Sequence, residues 1–203
     1  MESLKTIKYK GHEIEVCYDD SSMYGIDFLN EGKDGVNLVF YHRDFYITQD
    51  DIITKEDVKE YLRGNKIEQG KDYFIFPVSA LIHGGVWLSL NDYFMEDPGG
   101  WDTSTAGVIL VSRKLANKVS QATKIAQEKI KVWNDLLSGR VYCYSVDGNY
   151  SCGGYIGDDS IKDLIDDAKK EVDLMFRHRE KKVKDLIRHK VDLYKRMEIL
   201  KNF

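Results

Sequence analysis

Apolar and polar residues alternate along the segment HEIEVCYD at 12–19. The alternating positions are Ile14, Val16 and Tyr18 against Glu13, Glu15 and Cys17. A period of two places successive side chains on opposite faces of a strand. This segment therefore predicts a half-buried β-strand.

β-branched and aromatic residues are concentrated in four further segments, which predicts strands there. These segments are VNLVFYH at 36–42, DYFIFPVSALI at 72–82, GVWLSL at 85–90 and GVILVS at 107–112. A hairpin is also predicted over 140–156, with its turn at Asp147–Gly148, because Asp-Gly favours two-residue turns. In that hairpin Cys143 is expected opposite Cys152.

Two helices are predicted before the hairpin. The segment TKED at 54–57 resembles a capping box and predicts a helix that ends near Gly64, with Val58, Tyr61 and Leu62 as its apolar side. A longer helix is predicted from Ser112 to a stop at Gly139. Its apolar positions are Leu115, Val119, Ala122, Ile125, Ile130, Trp133 and Leu137.

From Ser160 onward the pattern is helical, with a break in its apolar stripe at RHREKK, residues 177–182. The stripe consists of Ile161, Ile165, Ala168, Val172 and Met175, then Val183, Leu186, Ile187, Val191, Tyr194, Met197 and Leu200. A helix over 160–200 is about 60 Å long at 1.5 Å per residue. We expect its first half to pack on the body and its second half to meet a second copy or a partner. The alternative is a terminal core helix with a solvated basic face.

This order of elements predicts an α+β fold, an antiparallel sheet with two or three helices and a long C-terminal helix. We expect a body over 1–159 and the long helix over 160–203, packed on the body in one alternative. Regular βαβ alternation is missing, and neither glycine-rich phosphate-binding motif occurs. A doubly wound nucleotide-binding fold is therefore not expected.

Composition favours a cytosolic protein. The 203 residues are 42% apolar, yet no apolar run approaches the ~20 residues that cross a bilayer. The segment at 1–16 lacks the apolar core of a secretion signal. Three cysteines without a C-x-x-C pair, and five scattered histidines, predict free thiols and no metal or other cofactor.

The net charge of −4 is unevenly distributed. Residues 177–203 carry ten Lys/Arg and four Asp/Glu, a balance of +6, so the preceding residues carry −10. A protein whose main surface binds the phosphates of nucleic acid needs a net basic face, which an acidic body does not provide. The basic tail, with Lys181, Lys182 and Arg188, is where contact with nucleic acid held by a partner is expected.

The segment DPGGWDTSTAG at 97–107 is longer than an ordinary turn needs. One interpretation is structural: Asp102 turns the loop, and Trp101 closes the core below it. The other is a recognition loop over Trp101, Asp102 and Thr103, because flanking glycines permit close approach of a partner and Trp is a frequent interface residue. We predict the second, with Trp101 and Asp102 exposed.

His83 stands beside two glycines at a predicted strand end and is the best candidate for acid–base chemistry. With Asp102 to orient it and Ser89 or Tyr155 nearby, it would suit a metal-free hydrolase or ribonuclease. The favoured alternative is a structural histidine bonded to a loop carbonyl. Four Asp-Asp pairs, at 19–20, 50–51, 158–159 and 166–167, are interpreted as solvated or capping residues rather than metal ligands.

Several of these segments together resemble a known group of proteins. HGGV at 83–86, LSL at 88–90, GWDTS at 100–104, Gly107 and the GYIGDD stretch at 154–159 are similar to small proteins carried by bacteriophages and plasmids of low-GC Gram-positive bacteria. Some phage proteins of this size and organisation act as anti-defence factors, including inhibitors of RNA-guided CRISPR nucleases. The resemblance covers roughly residues 70–160 and implies no catalytic residue.

The resemblance implies a binding protein that inhibits a host defence protein, with a CRISPR nuclease and its guide RNA as the expected partner. The residues expected at the interface are His83, Trp101, Asp102, Thr103, Tyr155, Lys181, Lys182 and Arg188. Two alternatives stay open: a nuclease or phosphodiesterase acting on nucleic acid or a nucleotide signal, and an accessory protein that oligomerises through its last helix.

Overall fold

A computed structural model describes residues 3–20, 35–42, 45–47, 52–90, 94, 96–189 and 192–201. The strands are β1 (Ser3–Tyr9), β2 (His12–Tyr18), β3 (Val36–His42), β4 (Phe45–Ile47), β5 (Tyr73–Ile82), β6 (Val86–Ser89), β7 (Thr103–Ser112), β8 (Val141–Val146) and β9 (Asn149–Ile156). The helices are α1 (Lys55–Leu62), α2 (Val119–Leu137), α3 (Ile161–Arg188) and α4 (Leu193–Lys201), with short 3-10 turns at Glu68–Lys71 and Asp158–Ser160.

The chain forms two compact units. The terminal unit combines Met1–Asp19 with Tyr142–Phe203, and the central unit comprises Asp20–Val141. Each unit contains one sheet, and every strand pairing whose register the structure describes is antiparallel. The predicted α+β class with a long C-terminal helix is therefore confirmed. The division at residue 159 stays a prediction.

The sheet of the central unit has the strand order β4-β3-β7-β5-β6. Its middle strand, β7, is buried continuously from Ala106 to Val111, because both faces of the sheet are covered. One face packs on α2 around the fully buried Trp133. The other face packs on α1 through Val58, together with Ile53. Thr54 caps α1 in a capping box with Asp57, as its sequence predicts.

The sheet of the terminal unit has the order β1-β2-β8-β9, and α3 packs on it. Leu164, Ala168 and Val172 are the fully buried side chains of α3 in this contact. At its margin, tyrosine hydroxyls of the sheet donate to carboxylates of α3: Tyr144 donates to Glu171 at 2.8 Å. Burial, together with the carboxylate, raises the pKa of Tyr144. The sheet and the helix are thus joined by apolar packing with a polar border.

Two-residue turns close both hairpins of this unit. Asp147 and Gly148 have φ of 50° and 76°, so the turn predicted at Asp147–Gly148 is confirmed. Lys10 and Gly11, with φ of 50° and 84°, join β1 to β2 in the same way. The β1 strand itself was not predicted. The thiols of Cys17 and Cys143 are buried, and that of Cys152 is exposed.

The long helix predicted from Ser112 begins later than expected. Ser112 is the last residue of β7, where its backbone N–H donates to the Gly35 carbonyl at 2.9 Å. The helix begins at Val119, and Leu115 lies outside it with an exposed side chain. Strand pairing with β5, which sets Ser112 opposite Tyr73, therefore overrides the helical pattern at Ser112. The predicted stop is confirmed, since Gly139 has a φ of 73° just beyond the helix.

The predicted helix over 160–200 is interrupted. α3 ends at Arg188 and α4 begins at Leu193, while Val191 of the predicted stripe lies outside the described residues. No described residue of the terminal helices beyond Val172 is buried, and Ile187, Tyr194 and Met197 are exposed. The first half of α3 packs on the sheet as predicted. What meets the second half stays a prediction.

We predict that a chain ending at Arg177 folds with a melting temperature within about 3 °C of the full chain, because none of the described residues that are removed has a buried side chain. The contrasting variant is Leu164→Ala, which removes a buried side chain and should cost about 2–5 kcal/mol of unfolding free energy. Thermal unfolding followed by circular dichroism checks both. A truncated chain that melts far below the full chain would contradict the assignment.

Candidate functional site

The loop before β7 in the central unit is organised by the carboxylate of Asp97. Asp97 Oδ1 accepts a hydrogen bond from the Trp101 backbone N–H at 3.0 Å. Its Oδ2 accepts from the Asp102 backbone N–H and from the Thr103 hydroxyl, both at 2.8 Å. The Asp97 carbonyl accepts from the Gly100 N–H at 3.0 Å, which closes the turn. One residue therefore fixes the three residues expected to form the recognition loop.

The surroundings of the Asp97 carboxyl favour its ionised form. Desolvation opposes ionisation, but the hydrogen bonds from the Thr103 hydroxyl and from the backbone amides of Asp102, Trp101 and Thr103 outweigh it. The pKa of Asp97 therefore lies below its ordinary value. Donors aimed at a charged acceptor make stronger hydrogen bonds than neutral pairs do. The loop is consequently held best when Asp97 is ionised.

Trp101 is presented to solvent by the two glycines that precede it. Gly100 has a φ of 66°, a conformation that favours glycine. At Gly99 a Cβ would collide with the indole of Trp101, so this position needs glycine for the ring to lie against the backbone. The residue is nevertheless 91% exposed. The predicted exposure is confirmed, and the interpretation that Trp101 closes the core is wrong.

His83 lies beside this loop and pairs with Asp102. Its Nδ1 is 2.9 Å from Asp102 Oδ2, and the Ile82 backbone N–H donates to the Asp102 carbonyl at 3.0 Å. The His83 ring thus contacts the Asp102 carboxylate, where the structural interpretation expected a loop carbonyl. The structural role of this histidine stays a prediction. The interpretation of Asp102 as the residue that turns the loop is wrong, because Asp97 has that role. Both side chains are open to water, with exposed fractions of 80% for His83 and 47% for Asp102.

A cavity of about 520 Å³ lies next to the pair. Its lining includes His83 and Asp102, the hydroxyl-bearing Ser89, the indole of Trp87 and the polar side chains of Glu96 and Asn134. The Asn134 amide both accepts from the Leu88 N–H and donates to the Leu88 carbonyl, at 2.8 and 2.9 Å, and so fixes β6 against α2. The cavity therefore has a rigid wall on the β6 side. A histidine oriented by a carboxylate beside a hydroxyl is an arrangement that also occurs in hydrolytic sites.

The remaining predicted interface residues lie in the terminal unit. The Tyr155 hydroxyl donates to Asp167 at 3.1 Å, and burial together with that carboxylate raises its pKa. Lys181 and Arg188 are exposed on the second half of α3, and Lys182 is half-buried there. The structure thus brings His83, Trp101, Asp102 and Thr103 together in one unit, and it places Tyr155 and the basic residues in the other.

Asp97 is the organising residue that sequence reasoning missed. Its signal is present in the chain, because Asp at the first position of a turn followed by Pro is a recognised turn signature. The carboxylate of such an Asp bonds backbone groups just ahead of it. Attention to Trp101 and Asp102 assigned the turn to the wrong carboxylate.

Among the described residues, no group of three or more His, Cys, Asp or Glu side chains is arranged to hold a metal ion. No helix in the described part of the chain is both long and apolar enough to span a membrane. Comparisons with protein-family models, curated proteins and solved structures gave no match to this chain. The case for a function therefore comes from the residues and their geometry.

We predict that Asp97→Asn lowers the melting temperature at pH 7, because the amide cannot accept all the hydrogen bonds that the carboxylate accepts. The pKa of Asp97 is lower in the folded chain, so its contribution is present above the ordinary carboxyl pKa of about 4 and is lost as pH falls through the folded value. The difference between wild type and Asp97→Asn should therefore shrink on acidification.

Thermal unfolding between pH 7 and pH 3 measures this difference, with Glu96→Gln as the matched control in the same loop. The melting temperature of that control should equal that of the wild type at every pH in this range. A constant difference between wild type and Asp97→Asn across the whole pH range would contradict the role of the charge.

Proposed function

We propose that this protein is a cytosolic binding protein from a mobile genetic element that inhibits a host defence protein stoichiometrically. The proposed target is an RNA-guided CRISPR nuclease with its guide RNA. The observation that carries the binding role is the exposed indole of Trp101 on a loop fixed by Asp97. The choice of target rests on the resemblance of the segments at 83–86, 88–90, 100–104 and 154–159.

An exposed tryptophan on a fixed loop suits recognition. Tryptophan is enriched among the residues that dominate binding energy, because its large rigid ring fills a pocket on the partner. Ordering a loop on association costs free energy, and a loop already ordered in the free protein avoids that cost. The hydrogen bonds to Asp97 supply such order here. Thr103 and Asp102 provide polar groups beside the ring.

The C-terminal helices supply a second contact surface in this proposal. The second half of α3 combines exposed Lys181 and Arg188 with an exposed apolar residue, Ile187, and α4 adds Tyr194. We propose that the apolar residues pair with a second copy or with the target, while the basic residues contact the guide RNA. Contact with RNA phosphates would make this part of the affinity sensitive to salt.

The second candidate is a nuclease or phosphodiesterase, and one observation favours it. His83 is held by Asp102 beside a cavity that is also lined by Ser89. In such an enzyme the His83 ring would accept a proton from water or from a hydroxyl nucleophile, and Asp102 would orient the ring. Against it stands the exposure of the pair, since sites that use this chemistry usually exclude water.

A titration separates the two candidates. Cleavage of a DNA substrate by a CRISPR nuclease loaded with guide RNA is measured against increasing amounts of this protein. A binder abolishes cleavage in proportion to its own concentration and leaves the RNA and DNA intact. An enzyme acts at a small fraction of one equivalent and leaves altered nucleic acid, which gel electrophoresis and mass spectrometry detect.

For Trp101→Ala we predict a loss of about 2 kcal/mol or more of binding free energy, or a Kd about 30-fold higher. The melting temperature should change little, because the side chain is exposed. Calorimetry with the loaded nuclease measures the affinity. Leu115→Ala, at another exposed apolar residue of the same unit, is the control and should bind as wild type. Equal affinities of the wild type, Trp101→Ala and Leu115→Ala for the nuclease would show that Trp101 does not anchor the interface.

His83→Ala tests the enzyme candidate. We predict that the variant still inhibits the nuclease, with an affinity reduced less than about tenfold, because a water-exposed contact between two polar side chains contributes little. Asp102→Asn should behave in the same way. Complete loss of inhibition with unchanged binding would instead assign a catalytic step to the pair.

A further inference from the structure

A second cavity in the central unit shares no lining residue with the one beside His83. It is an open groove of about 760 Å³ between β5 and the segment that joins α1 to it. This volume lies within the range of small-molecule sites, roughly 300–1,000 Å³. Two of its apolar side chains, Leu62 and Val119, are 43% and 60% exposed. The groove therefore offers apolar surface that the fold leaves uncovered.

The charges around the groove have one sign. Of the described residues that line it, Lys66, Lys71 and Arg113 are basic and none is acidic. Lys71 has only a long contact of 3.7 Å with Glu68, and both of those side chains are highly exposed. This contrasts with the net negative charge of residues 1–176. A local excess of cations over carboxylates favours an anionic ligand.

Arg113 is positioned before any ligand arrives. Its guanidinium lies 4.1 Å from the ring centroid of Phe74 and donates to the Gly70 carbonyl from Nη2 at 3.2 Å. Nε contacts the same carbonyl at 3.4 Å. In the described part of the chain no carboxylate lies within ion-pair distance of it. A stacked, fixed guanidinium whose charge is left uncompensated is suited to phosphate.

The groove also borders an incomplete sheet edge. β6 pairs only with Ser79–Ile82 of β5, so Tyr73–Val78 has no described strand partner on that side. The Tyr61 hydroxyl donates to the Ile75 carbonyl there at 2.6 Å, and Pro77 has no N–H to offer. An added peptide strand would meet an interrupted hydrogen-bonding ladder. This favours a compact ligand over an extended peptide.

We propose that this groove binds a nucleoside phosphate. Its phosphates contact Arg113, Lys66 and Lys71, and its base packs on the aromatic side chain of Phe76, which lies on the same face of β5 as Phe74. Aromatic rings stack on nucleobases of any identity. The affinity should therefore depend on the number of phosphates and on the presence of a base more than on which base it is. The proposal concerns a site separate from the Trp101 loop and does not depend on the proposed inhibition of a nuclease.

Isothermal titration calorimetry of the full chain tests the proposal with adenosine diphosphate and uridine diphosphate as probes. Adenosine and inorganic phosphate form separate arms, which distinguish the base from the anion. Both diphosphates should bind saturably, and adenosine and inorganic phosphate should each bind at least about tenfold more weakly. Higher salt should weaken binding, since the contacts to phosphate are ionic.

Variants assign the binding to the groove. Arg113→Gln should raise the Kd for both diphosphates about tenfold, because a charged hydrogen bond is lost. Lys66→Gln provides a second test at an exposed position, and should raise the Kd at least about threefold. Lys114→Gln is the matched control, since Lys114 adjoins Arg113 without lining the groove, and should leave the Kd unchanged.

Three results would overturn the proposal. The first is absence of saturable binding of both diphosphates up to about 1 mM. The second is equal affinity of Arg113→Gln, Lys66→Gln and Lys114→Gln for the diphosphates. The third is binding of inorganic phosphate, or of a polyglutamate peptide, as tightly as the diphosphates, which would identify a general anion site or a site for acidic peptides.

Discussion

The carboxylate of Asp97 is the group on which the candidate site depends. It fixes Trp101, Asp102 and Thr103, and each of these has a different consequence. Trp101 is directed outward, Asp102 is directed toward His83, and Thr103 is placed where β7 begins. If the carboxylate did not hold these three residues, the loop at Trp101, the His83–Asp102 contact and the strand end would each have to be ordered separately.

The central unit combines this loop with two cavities of different chemistry. The lining of the cavity beside His83 includes a histidine, two carboxylates, a hydroxyl and an amide, and the His83–Asp102 pair is open to water. The groove along β5 is basic and aromatic. An exposed indole and a cationic groove are features of recognition, whereas a His–Asp contact open to water is a weak basis for catalysis. The geometry therefore supports binding more strongly than chemistry.

Features encoded by adjacent residues were predictable from the sequence, and features set by distant pairing were not. The capping box at Thr54 and the turn at Asp147–Gly148 involve neighbours in the chain, and both are confirmed. The start of α2 was misplaced because pairing of β7 with β5 extends the strand to Ser112. The His83–Asp102 contact was one alternative for this histidine, and it follows from the register that sets Leu81 opposite Thr103, which spacing along the chain does not reveal. For the same reason, the basic groove along β5 was not foreseen.

The central claim is that the backbone of the loop at Trp101 is held in place before any partner binds. Nitrogen-15 relaxation of the Trp101 backbone N–H group in the free protein measures this directly, with the backbone N–H of Trp133 in α2 as the internal reference. The account predicts an order parameter near the rigid value of about 0.85, close to that of Trp133. A value below about 0.6 for Trp101 beside a rigid Trp133 would contradict the account.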